Sequence, residues 1–408
     1  MKILACSDIH LGRIPLVGED EQQTGSSSWE AVVQKAIQLE VDALVLCGDV
    51  VEQEHAWLSV YEPLLSGLDQ LKAAGIKVIA VGGNHDYDVF PRLAQESDAI
   101  TLLGLGGTWE RCDLGPLRII GWSFPSSHTR TNPLKEFDAS LLEGAHLTLG
   151  LLHTDAGVQT SVYAPTQSSD FTSSTVGLWM LGHIHKPDRV ANSNAYYCGS
   201  PFALDKSEMG RHGAWLLKTI ADSTWDEPQC ITLCPYRYER LSVDISGLSD
   251  LEQVRSKVTS SARDYVSTLQ EPTNLYLTPV FVGTLSPSVD LSLFFGSFEE
   301  REKLLFEQQR SKVYLVSQSV DETELEVDLG SLAQGQGPAA LLARMLLDED
   351  EMASLAQKYQ SLDRESYNSS AFGILERTVL DTDDAIRKSR QAGRKLLKAM
   401  LVQTEGGF

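Results

Sequence analysis

The sequence predicts an α/β (α+β) fold in which two stacked, mixed β-sheets are flanked by helices, followed by a small α+β domain and C-terminal helices. Early in the chain, short and almost continuously apolar runs alternate with segments of helical periodicity, as expected for strands buried on both faces. Later, several apolar runs follow one another directly, which favours a second sheet. Because single hydrophobic cores stop growing at roughly 250–300 residues, a chain of 408 residues should contain more than one domain.

The elements of the first half follow from these patterns in order. A helix is predicted over residues 28–40, where Trp29, Val32 and Val33 begin a helical spacing of apolar side chains. A second helix, 57–74, ends at Gly75, because glycine favours helix termination. The predicted strands are the apolar runs 2–6, 42–47, 76–81, 117–123, 147–152, 177–181, 195–198 and 213–218.

The second half contains fewer predicted elements. Strand alternation resumes on both sides of a helical segment, which indicates a small α+β domain, and helical patterns follow a turn rich in glycine and proline. The predicted elements are strands 230–234, 237–245 and 275–283 and helices 249–268, 339–363 and 383–402. The predicted domains are 1–238, the α+β domain 239–332 and the C-terminal helical region 335–408.

The charge balance argues against binding of nucleic acid or anionic membrane by bulk charge. The chain has 34 Lys and Arg against 56 Asp and Glu, a formal net charge of −22. The acidity is even, with 15 basic and 26 acidic side chains in residues 1–220 and 19 and 30 in the remainder. Electrostatic attraction to a polyanion therefore needs a local source of positive charge, which a metal cluster can supply.

Composition also narrows the class and the compartment. Because the sequence lacks an uncharged apolar stretch of about 18 residues, we expect no membrane span, and the apolar run at the start is too short for a signal peptide. The six cysteines are scattered and do not form a disulfide framework. Cys6 and Cys47 lie in apolar runs, so we expect buried thiols and a cytoplasmic location.

Four loops that each follow a predicted strand carry side chains that bind metals. Each motif alone has a simpler explanation, because Gly-Asp and Gly-Asn-His-Asp are common in turns and a His-x-His pair can lie hydrogen-bonded at a sheet edge. The four together, in this order, indicate a centre with two metal ions. The motif residues are Asp8 and His10; Asp49 after Gly48; Asn84, His85 and Asp86 after Gly82-Gly83; and His153 with His183 and His185.

The ligand types indicate the metal and the reaction. Two divalent ions about 3.5–4 Å apart can clamp the attacking and leaving oxygens of a phosphoryl group. Such a pair needs a bridging anion, for which Asp49 is placed, and several neutral ligands. Mixed nitrogen and oxygen ligation suits Mn, Fe, Co or Zn better than Mg, and we expect two Mn²⁺ ions.

The order D-x-H, G-D, G-N-H-D, H and G-H-x-H, over residues 7–185, resembles the calcineurin-like metallophosphoesterase superfamily. Asp8-Ile9-His10-Leu11-Gly12 resembles its DNA repair exonuclease branch, and the layout is most similar to the SbcD-like and YhaO-like nucleases. The resemblance implies a four-layer metallophosphoesterase sandwich and a capping role for residues 239–332. Beyond about residue 240 only the layout is similar.

The resemblance also implies roles for the motif residues. The first metal would be held by Asp8, His10, Asp49 and His185, and the second by Asp49, Asn84, His153 and His183. His85 would act as general acid toward the leaving oxygen or stabilise the transition state, as suits an imidazole with a pKa near neutrality. Asp86 would orient His85 or its loop, and stabilising the turn is an equal alternative.

The remaining histidines and one departure from the family pattern leave alternatives open. The nucleases often carry a second histidine three residues after the bridging aspartate, where this chain has Glu52. Glu52 would bind nothing or orient a ligand histidine, and His55 either substitutes for the missing histidine or begins a surface helix. His128, in a Ser/Thr-rich loop, either lines the cleft or has no role there. His146 and His212 are interpreted as structural.

The predicted function is hydrolysis of DNA phosphodiesters by a metal-activated hydroxide that attacks phosphorus, with His85 assisting departure of the sugar oxygen. One alternative is a phosphoesterase that acts on a nucleotide or another small phosphodiester, which would share every ligand. The other is mainly a subunit of an assembly, because the resemblance implies DNA, an SbcC-like SMC-type ATPase and a second copy of the chain as partners.

Two C-terminal segments could contact those partners. The helix 339–363 has an apolar stripe that either binds a partner helix or packs on its own domain. The last helix carries a run of basic residues, with acidic residues only at its start, which complements the helix dipole or binds phosphates. These basic residues are Arg387, Lys388, Arg390, Arg394, Lys395 and Lys398.

Overall fold

The computed structural model describes residues 1–13, 25–52, 57–220, 224–269, 271–286, 288–295, 304–316, 319–325, 327–367 and 382–405. The chain forms two compact units. The first contains Met1–Glu239 and Thr273–Leu275, and the second contains Arg240–Pro272 and Tyr276–Phe408.

The first unit contains thirteen strands among its described residues. They are β1 Lys2–Cys6, β2 Ala43–Cys47, β3 Lys77–Val81, β4 Ile100–Leu102, β5 Trp109–Leu114, β6 Leu117–Trp122, β7 Leu147–His153, β8 Leu178–Gly182, β9 Asp188–Arg189, β10 Ala195–Tyr197, β11 Gly213–Ile220, β12 Thr224–Trp225 and β13 Gln229–Thr232. The helices are α1 Gly25–Gln38, α2 Trp57–Ala73, α3 Val89–Ala94 and α4 Ser168–Ser173, with 3₁₀ turns at Pro133–Glu136 and Ala139–Leu142.

These strands form two mixed sheets. The first sheet has the order β12-β11-β1-β2-β3-β4, with β13 also paired to β11, and the second has the order β5-β6-β7-β8-β10-β9. The strands β1 to β4 are mutually parallel, as are β6, β7, β8 and β10. Their carboxyl ends, where the motif loops begin, therefore lie along common edges.

Three apolar clusters give the first unit its four layers. One packs α1 and α2 on the outer face of the first sheet, through Trp29, Val60 and Leu64 among others. A second fills the space between the sheets, where Val45 and Leu149 are both fully buried. A third lies on the outer face of the second sheet. The predicted arrangement of two mixed sheets flanked by helices is confirmed.

The second unit is built around a smaller sheet with the order β14-β15-β18-β17, to which β19 is added beside β15. The strands β14 Tyr236–Asp244 and β15 Asn274–Val282 begin in residues of the first unit and continue in the second. The other strands are β16 Thr284–Leu285, β17 Leu304–Gln308, β18 Ser311–Leu315, β19 Val320–Asp321 and β20 Glu324–Leu325. Its helices are α5 Leu251–Ser267, α6 Leu329–Ala333, α7 Pro338–Leu347, α8 Glu349–Tyr367 and α9 Thr382–Glu405, with a 3₁₀ turn at Leu291–Leu293.

The predicted helix 339–363 is two helices, because Asp348 interrupts it. Asp348 has an extended backbone, with φ −87° and ψ 113°. Its carboxylate accepts hydrogen bonds from the backbone N–H groups of Asp350 at 2.9 Å and Glu351 at 3.0 Å. The side chain therefore caps the start of α8 while its backbone ends α7, a function that Asp performs well. No helix in the described part of the chain is long and apolar enough to cross a membrane.

Candidate metal centre

The motif loops place their side chains at the carboxyl ends of strands from both sheets. Asp8 and His10 follow β1, Asp49 follows β2 and Asn84 follows β3, whereas His153 ends β7 and the His183–His185 loop follows β8. Four of these residues have a left-handed backbone: φ is 50° at Asp8, 48° at His10, 50° at Asp49 and 98° at His183. Residues with side chains seldom adopt this conformation, and such strain is concentrated at functional sites.

A close approach of two loops requires glycine at position 83. A Cβ atom added to Gly83 would lie 2.1 Å from Oδ1 of Asp49 and 2.6 Å from its backbone nitrogen. Any larger residue would therefore displace the shared aspartate. The glycine in the Gly-Asn-His-Asp motif is thus explained by contact with the Gly-Asp motif.

Asp49 lies between imidazoles from both sheets. Its Oδ2 is 3.3 Å from Nε2 of His153 and 3.9 Å from Nε2 of His10. Its Oδ1 accepts a hydrogen bond of 2.9 Å from the backbone N–H of His85. The whole residue is 2% exposed, so its carboxylate faces these groups rather than solvent.

Asp8 occupies a similar position at the end of β1. It is fully buried and accepts hydrogen bonds from the Ser7 hydroxyl and, at 3.1 Å, from the backbone N–H of His183. Its Oδ1 is 3.9 Å from Nε2 of His185, and Nε2 of His185 is 3.3 Å from Nε2 of His10. Asp8 thus connects the first motif loop to the last.

Five of the seven predicted ligands form two overlapping groups that share Asp8. Ligand atoms of Asp8, His10 and His185 lie within 4.8 Å of one another, as do those of Asp8, Asp49 and His153. Asn84 Oδ1 is 3.0 Å from Nε2 of His153, and the rings of His153 and His183 are 5.4 Å apart. Buried carboxylates need compensating positive charge, and divalent cations would supply it, so the donor set fits two metals.

The pKa shifts of the buried motif residues agree with this conclusion. Burial opposes ionisation of Asp49, but the imidazoles of His153, His10 and His85 hold its pKa well below the ordinary range. Burial also opposes protonation of His153, whose pKa is nevertheless raised to about 9 by Asp49 and Asp8. Burial and the neighbouring His153 lower the pKa of His183 to about 3, which keeps it neutral. The protonated ring of His153 thus supplies positive charge beside Asp49.

Glu52 connects a predicted ligand to the predicted general acid. Its Oε2 is 2.8 Å from Nδ1 of His10, and its Oε1 is 3.0 Å from Nδ1 of His85. Both imidazoles donate their Nδ1–H to this carboxylate, which leaves each Nε2 directed elsewhere. The sequence marked position 52 as a departure from the family pattern, and of the two roles considered, the geometry favours orientation of a histidine. His55 lies outside the described residues.

Replacing Glu52 by glutamine should disturb both histidines, because an amide offers one acceptor oxygen and not two. We expect the Mn²⁺ affinity of the Asp8–His10–His185 group to fall about 10- to 100-fold. That is the usual effect of removing a carboxylate that is hydrogen-bonded to a metal ligand. The hydrogen bond that His85 donates to Glu52 is the main reason that the pKa of His85 is raised, so that pKa should fall. Metal titration measures the Mn²⁺ affinity, and a pH–rate profile measures the pKa of His85. The control is Glu96→Gln, at an exposed glutamate. Unchanged Mn²⁺ affinity would contradict the role of Glu52.

Asp86 stabilises the loops and does not face the centre. Its fully buried carboxylate accepts hydrogen bonds of 2.7 Å from the backbone N–H groups of Gly83 and Val50. Burial and the neighbouring charge of Asp49 raise its pKa to about 7. These contacts tie the Gly-Asn-His-Asp loop to the Gly-Asp loop, which favours the turn-stabilising alternative over a catalytic role.

Glu208 is a further carboxylate that sequence motifs did not reveal. Its Oε1 is 2.7 Å from Nδ1 of His185, and its Oε2 accepts a hydrogen bond of 2.8 Å from the backbone N–H of Leu204. Buried His212 contacts the same loop, with Nδ1 2.9 Å from the Ser200 hydroxyl. Glu208 is 23 residues beyond His185 in sequence and belongs to no metal motif, so only the tertiary structure reveals it.

Replacing Glu208 by glutamine should weaken metal binding on one side of the centre. Without the carboxylate, the Nδ1–H tautomer of His185 is no longer fixed, and we expect the affinity of the Asp8–His10–His185 group to fall about 10- to 100-fold. Binding near His153 should change little. Calorimetric titration with Mn²⁺ separates the two steps, with Glu227→Gln at an exposed carboxylate as control. An equal loss at both steps would indicate a general structural defect and contradict the assignment.

The remaining histidines occupy different positions. His146 is exposed and precedes β7, at the opposite end of that strand from His153. His128 is also exposed, and its ring stacks on Tyr163 at a centroid distance of 5.6 Å. The Tyr163 ring in turn is 4.8 Å from that of His183. The His128 loop is therefore connected to the candidate centre by ring contacts.

Comparisons with known proteins agree with this site. Residues 1–187, just under half of the chain, match the family of calcineurin-like phosphoesterases. The DNA double-strand break repair protein Mre11 of Haloferax volcanii is 26% identical over 264 residues, which are 63% of this chain and 58% of that protein. The chain thus spans less than two thirds of that relative. The uncharacterized metallophosphoesterase YhaO of Bacillus subtilis is 22% identical over 330 residues, 74% of each chain.

A solved dimetal phosphatase from Danio rerio has a TM-score of 0.40 and 12% identity, covering 57% of this chain and 99% of that one. The two sheets and the ligand groups define an α/β domain with a candidate metal centre. The N-terminal part of the chain is thus similar to the calcineurin-like phosphoesterases.

Proposed function

We propose that the protein is a metal-dependent DNA exonuclease of the SbcD-like type. The observation that carries the proposal is the contrast between His85 and the residues around it. The side chain of His85 is 45% exposed, whereas those of His10 and Asp49 are 1% and 3% exposed. An accessible imidazole at the edge of a buried ligand set is placed to meet a substrate.

The proposed ligands divide as the resemblance implies. Asp8, His10, Asp49 and His185 would hold one cation, and Asp49, Asn84, His153 and His183 would hold the other, with Asp49 shared. When bound, the cations supply Lewis-acid polarisation of the phosphoryl group and a water of lowered pKa. Manganese suits this mixture of nitrogen and oxygen donors.

His85 would move the proton. Its Nδ1–H is held by Glu52, which leaves Nε2 for the substrate. As the bond between phosphorus and the leaving sugar oxygen breaks, protonated Nε2 donates its proton to that oxygen, and Glu52 stabilises the charged ring before transfer. The hydrogen bond to Glu52 raises the pKa of His85, which increases the protonated fraction near neutrality.

The choice of DNA as substrate rests on the relatives and on the second unit. Two facts support it: the Mre11 relatives, at 26% identity, and a second unit beyond the candidate centre, which an enzyme for a small molecule does not need. The last helix offers little additional attraction, because several of its basic side chains pair within the same unit. These pairs are Arg387–Asp384, Arg390–Glu349, Arg394–Glu324 and Lys398–Asp321.

The test is hydrolysis by the purified chain with Mn²⁺. End-labelled single- and double-stranded DNA are compared with a generic phosphodiester and a phosphomonoester. We expect shortening of DNA from an end and little cleavage of the monoester. Cleavage of the small diester without cleavage of DNA would replace the proposal by the small-molecule alternative.

A second proposal concerns a partner. Side chains on α7 and α8 remain exposed at 37–62%, namely Leu341, Leu347, Leu355, Tyr359 and Leu362. Leu355, Tyr359 and Leu362 follow helical spacing and form one stripe, whereas Met352 packs against Leu397 of α9 in the core of the region. We infer that this stripe binds an SbcC-like ATPase through an apolar helix. Co-purification should be lost on Leu355→Ser and Leu362→Ser while DNA hydrolysis persists; retained co-purification would contradict it.

A further inference from the structure

Ring contacts connect the candidate centre to the protein surface. Beginning inside the first unit, the rings of Phe124 and His153 are 5.6 Å apart, and those of His153 and His183 are 5.4 Å apart. Tyr163 follows at 4.8 Å from His183, and His128 follows at 5.6 Å from Tyr163 with an interplanar angle of 26°. His128 is exposed and Tyr163 is half-buried. The series therefore ends in a stacked, accessible pair beside a predicted ligand.

The pair is held in place by its backbone. The N–H of Thr129 donates to the carbonyl of Val162 at 2.8 Å, and the N–H of Ala164 donates to the carbonyl of Thr129 at 2.7 Å. Ala164 has a left-handed φ of 49°. These bonds align the two loops at His128 and Tyr163. Ala164 makes its bond from a left-handed backbone, a conformation that costs free energy and is found mainly at functional sites.

The His128 ring is oriented from its own loop. The Ser127 hydroxyl lies 3.0 Å from Nδ1 of His128, and the Ser126 hydroxyl donates to the His128 carbonyl at 2.7 Å. Ordering a surface side chain costs conformational entropy. These contacts offset that cost and hold the exposed imidazole of His128 in one orientation. The loops thus present a preformed aromatic surface to solvent.

We propose that His128 and Tyr163 form a stacking platform for a nucleobase whose phosphate lies at the metal centre. This inference deepens the proposed function and rests on it. Planar bases stack on aromatic side chains and on imidazole regardless of sequence. The class of substrate is therefore a phosphodiester that carries a base, and a single-stranded end would expose that base.

The charge of the chain makes such a contact useful. A net charge of −22 repels a polyanion, and the pairing of the last helix removes a source of attraction. Stacking depends little on net charge, so it provides affinity where phosphate contacts are few. Binding should accordingly depend weakly on salt, because a shallow slope follows when few counterions are released.

The test uses the full chain and a short single-stranded oligonucleotide with one 2-aminopurine, whose fluorescence falls on stacking. The same oligonucleotide with an abasic site at that position is the comparison. Binding is measured with Ca²⁺, and kcat and KM are measured with Mn²⁺. For His128→Ala and Tyr163→Leu we expect Kd for the base-containing strand to weaken about 5- to 100-fold, the range for loss of one stacking contact. Both variants should bind the abasic strand with the same Kd as the wild type.

Matched variants separate stacking from structural damage. His128→Phe and Tyr163→Phe keep an aromatic face and should retain the preference for the base-containing strand, and His146→Ala removes an exposed histidine at the far end of β7. Metal content should stay at the wild-type value in all of them. An unchanged ratio of base-containing to abasic affinity in His128→Ala and Tyr163→Leu would overturn the platform while leaving DNA hydrolysis intact. A wild type that neither binds nor cleaves the oligonucleotide would overturn the proposed DNA substrate and the platform with it.

Discussion

His85→Ala should retain both metals and lose most phosphodiesterase turnover. His85 contacts Glu52 through Nδ1 but is not among the proposed ligands, so its removal leaves the donor set complete. General acid catalysis contributes about 10²- to 10⁴-fold, and we expect kcat to fall within that range with KM little changed. The measurement combines elemental analysis of Mn with steady-state kinetics on a DNA substrate.

The leaving group provides a sharper version of the same experiment. A substrate with a leaving group of low pKa needs no proton, so a p-nitrophenyl diester should be hydrolysed by His85→Ala with a smaller loss than DNA. His146→Ala is the matched control, because it also removes an exposed histidine. A wild-type rate of DNA hydrolysis by His85→Ala would exclude the general-acid role, and loss of metal would mean that His85 is a ligand instead.

The strand ends and their motifs were predictable because short apolar runs and their glycine punctuation are local signals. The runs at β1, β2, β3, β7 and β8 gave both the parallel strands and the position of each motif at a carboxyl end. The sequence did not predict the short elements β4, α3, β9 and β12, since two to six residues carry too little periodicity. Asp348 was missed because a carboxylate within a helical pattern looks like a surface residue until its capping contacts are seen.

The supporting carboxylates were harder to predict than the ligands. Asp8 and Asp49 stand in dense motifs, whereas Glu208 acts on His185 from a separate loop, and this contact depends on how the chain folds back. Glu52 could be noticed only as a departure from a family pattern, and its simultaneous contact with His10 and His85 is a tertiary property. The connection of His128 to His183 through Tyr163 likewise required three loops to come together.

Asp49→Ala should abolish binding of at least one cation, because this carboxylate lies within reach of imidazoles from both groups. Replacing a residue that is hydrogen-bonded to a metal ligand lowers metal affinity about 10- to 100-fold. Loss of a ligand shared by both cations should lower the affinity by more than that. Because the variant loses metal, its turnover should fall below detection. The buried imidazole of His153, whose pKa is raised chiefly by Asp49 against the effect of burial, should become neutral in the variant at pH 7.

Asp49→Asn separates the charge of this side chain from its shape. The amide oxygen can still accept the hydrogen bond from the His85 N–H, which Asp49 accepts at 2.9 Å, so the loop should keep its conformation. We therefore expect Asp49→Asn to fold with a thermal midpoint close to that of the wild type and yet bind fewer metal ions. Asp98→Asn, at a surface aspartate paired with Lys72, controls for loss of one negative charge. Two Mn²⁺ ions per chain in Asp49→Ala, measured after dialysis by elemental analysis, would refute the shared-ligand assignment. Full occupancy in Asp49→Asn alone would instead show that an oxygen donor, and not its charge, is what the two cations require.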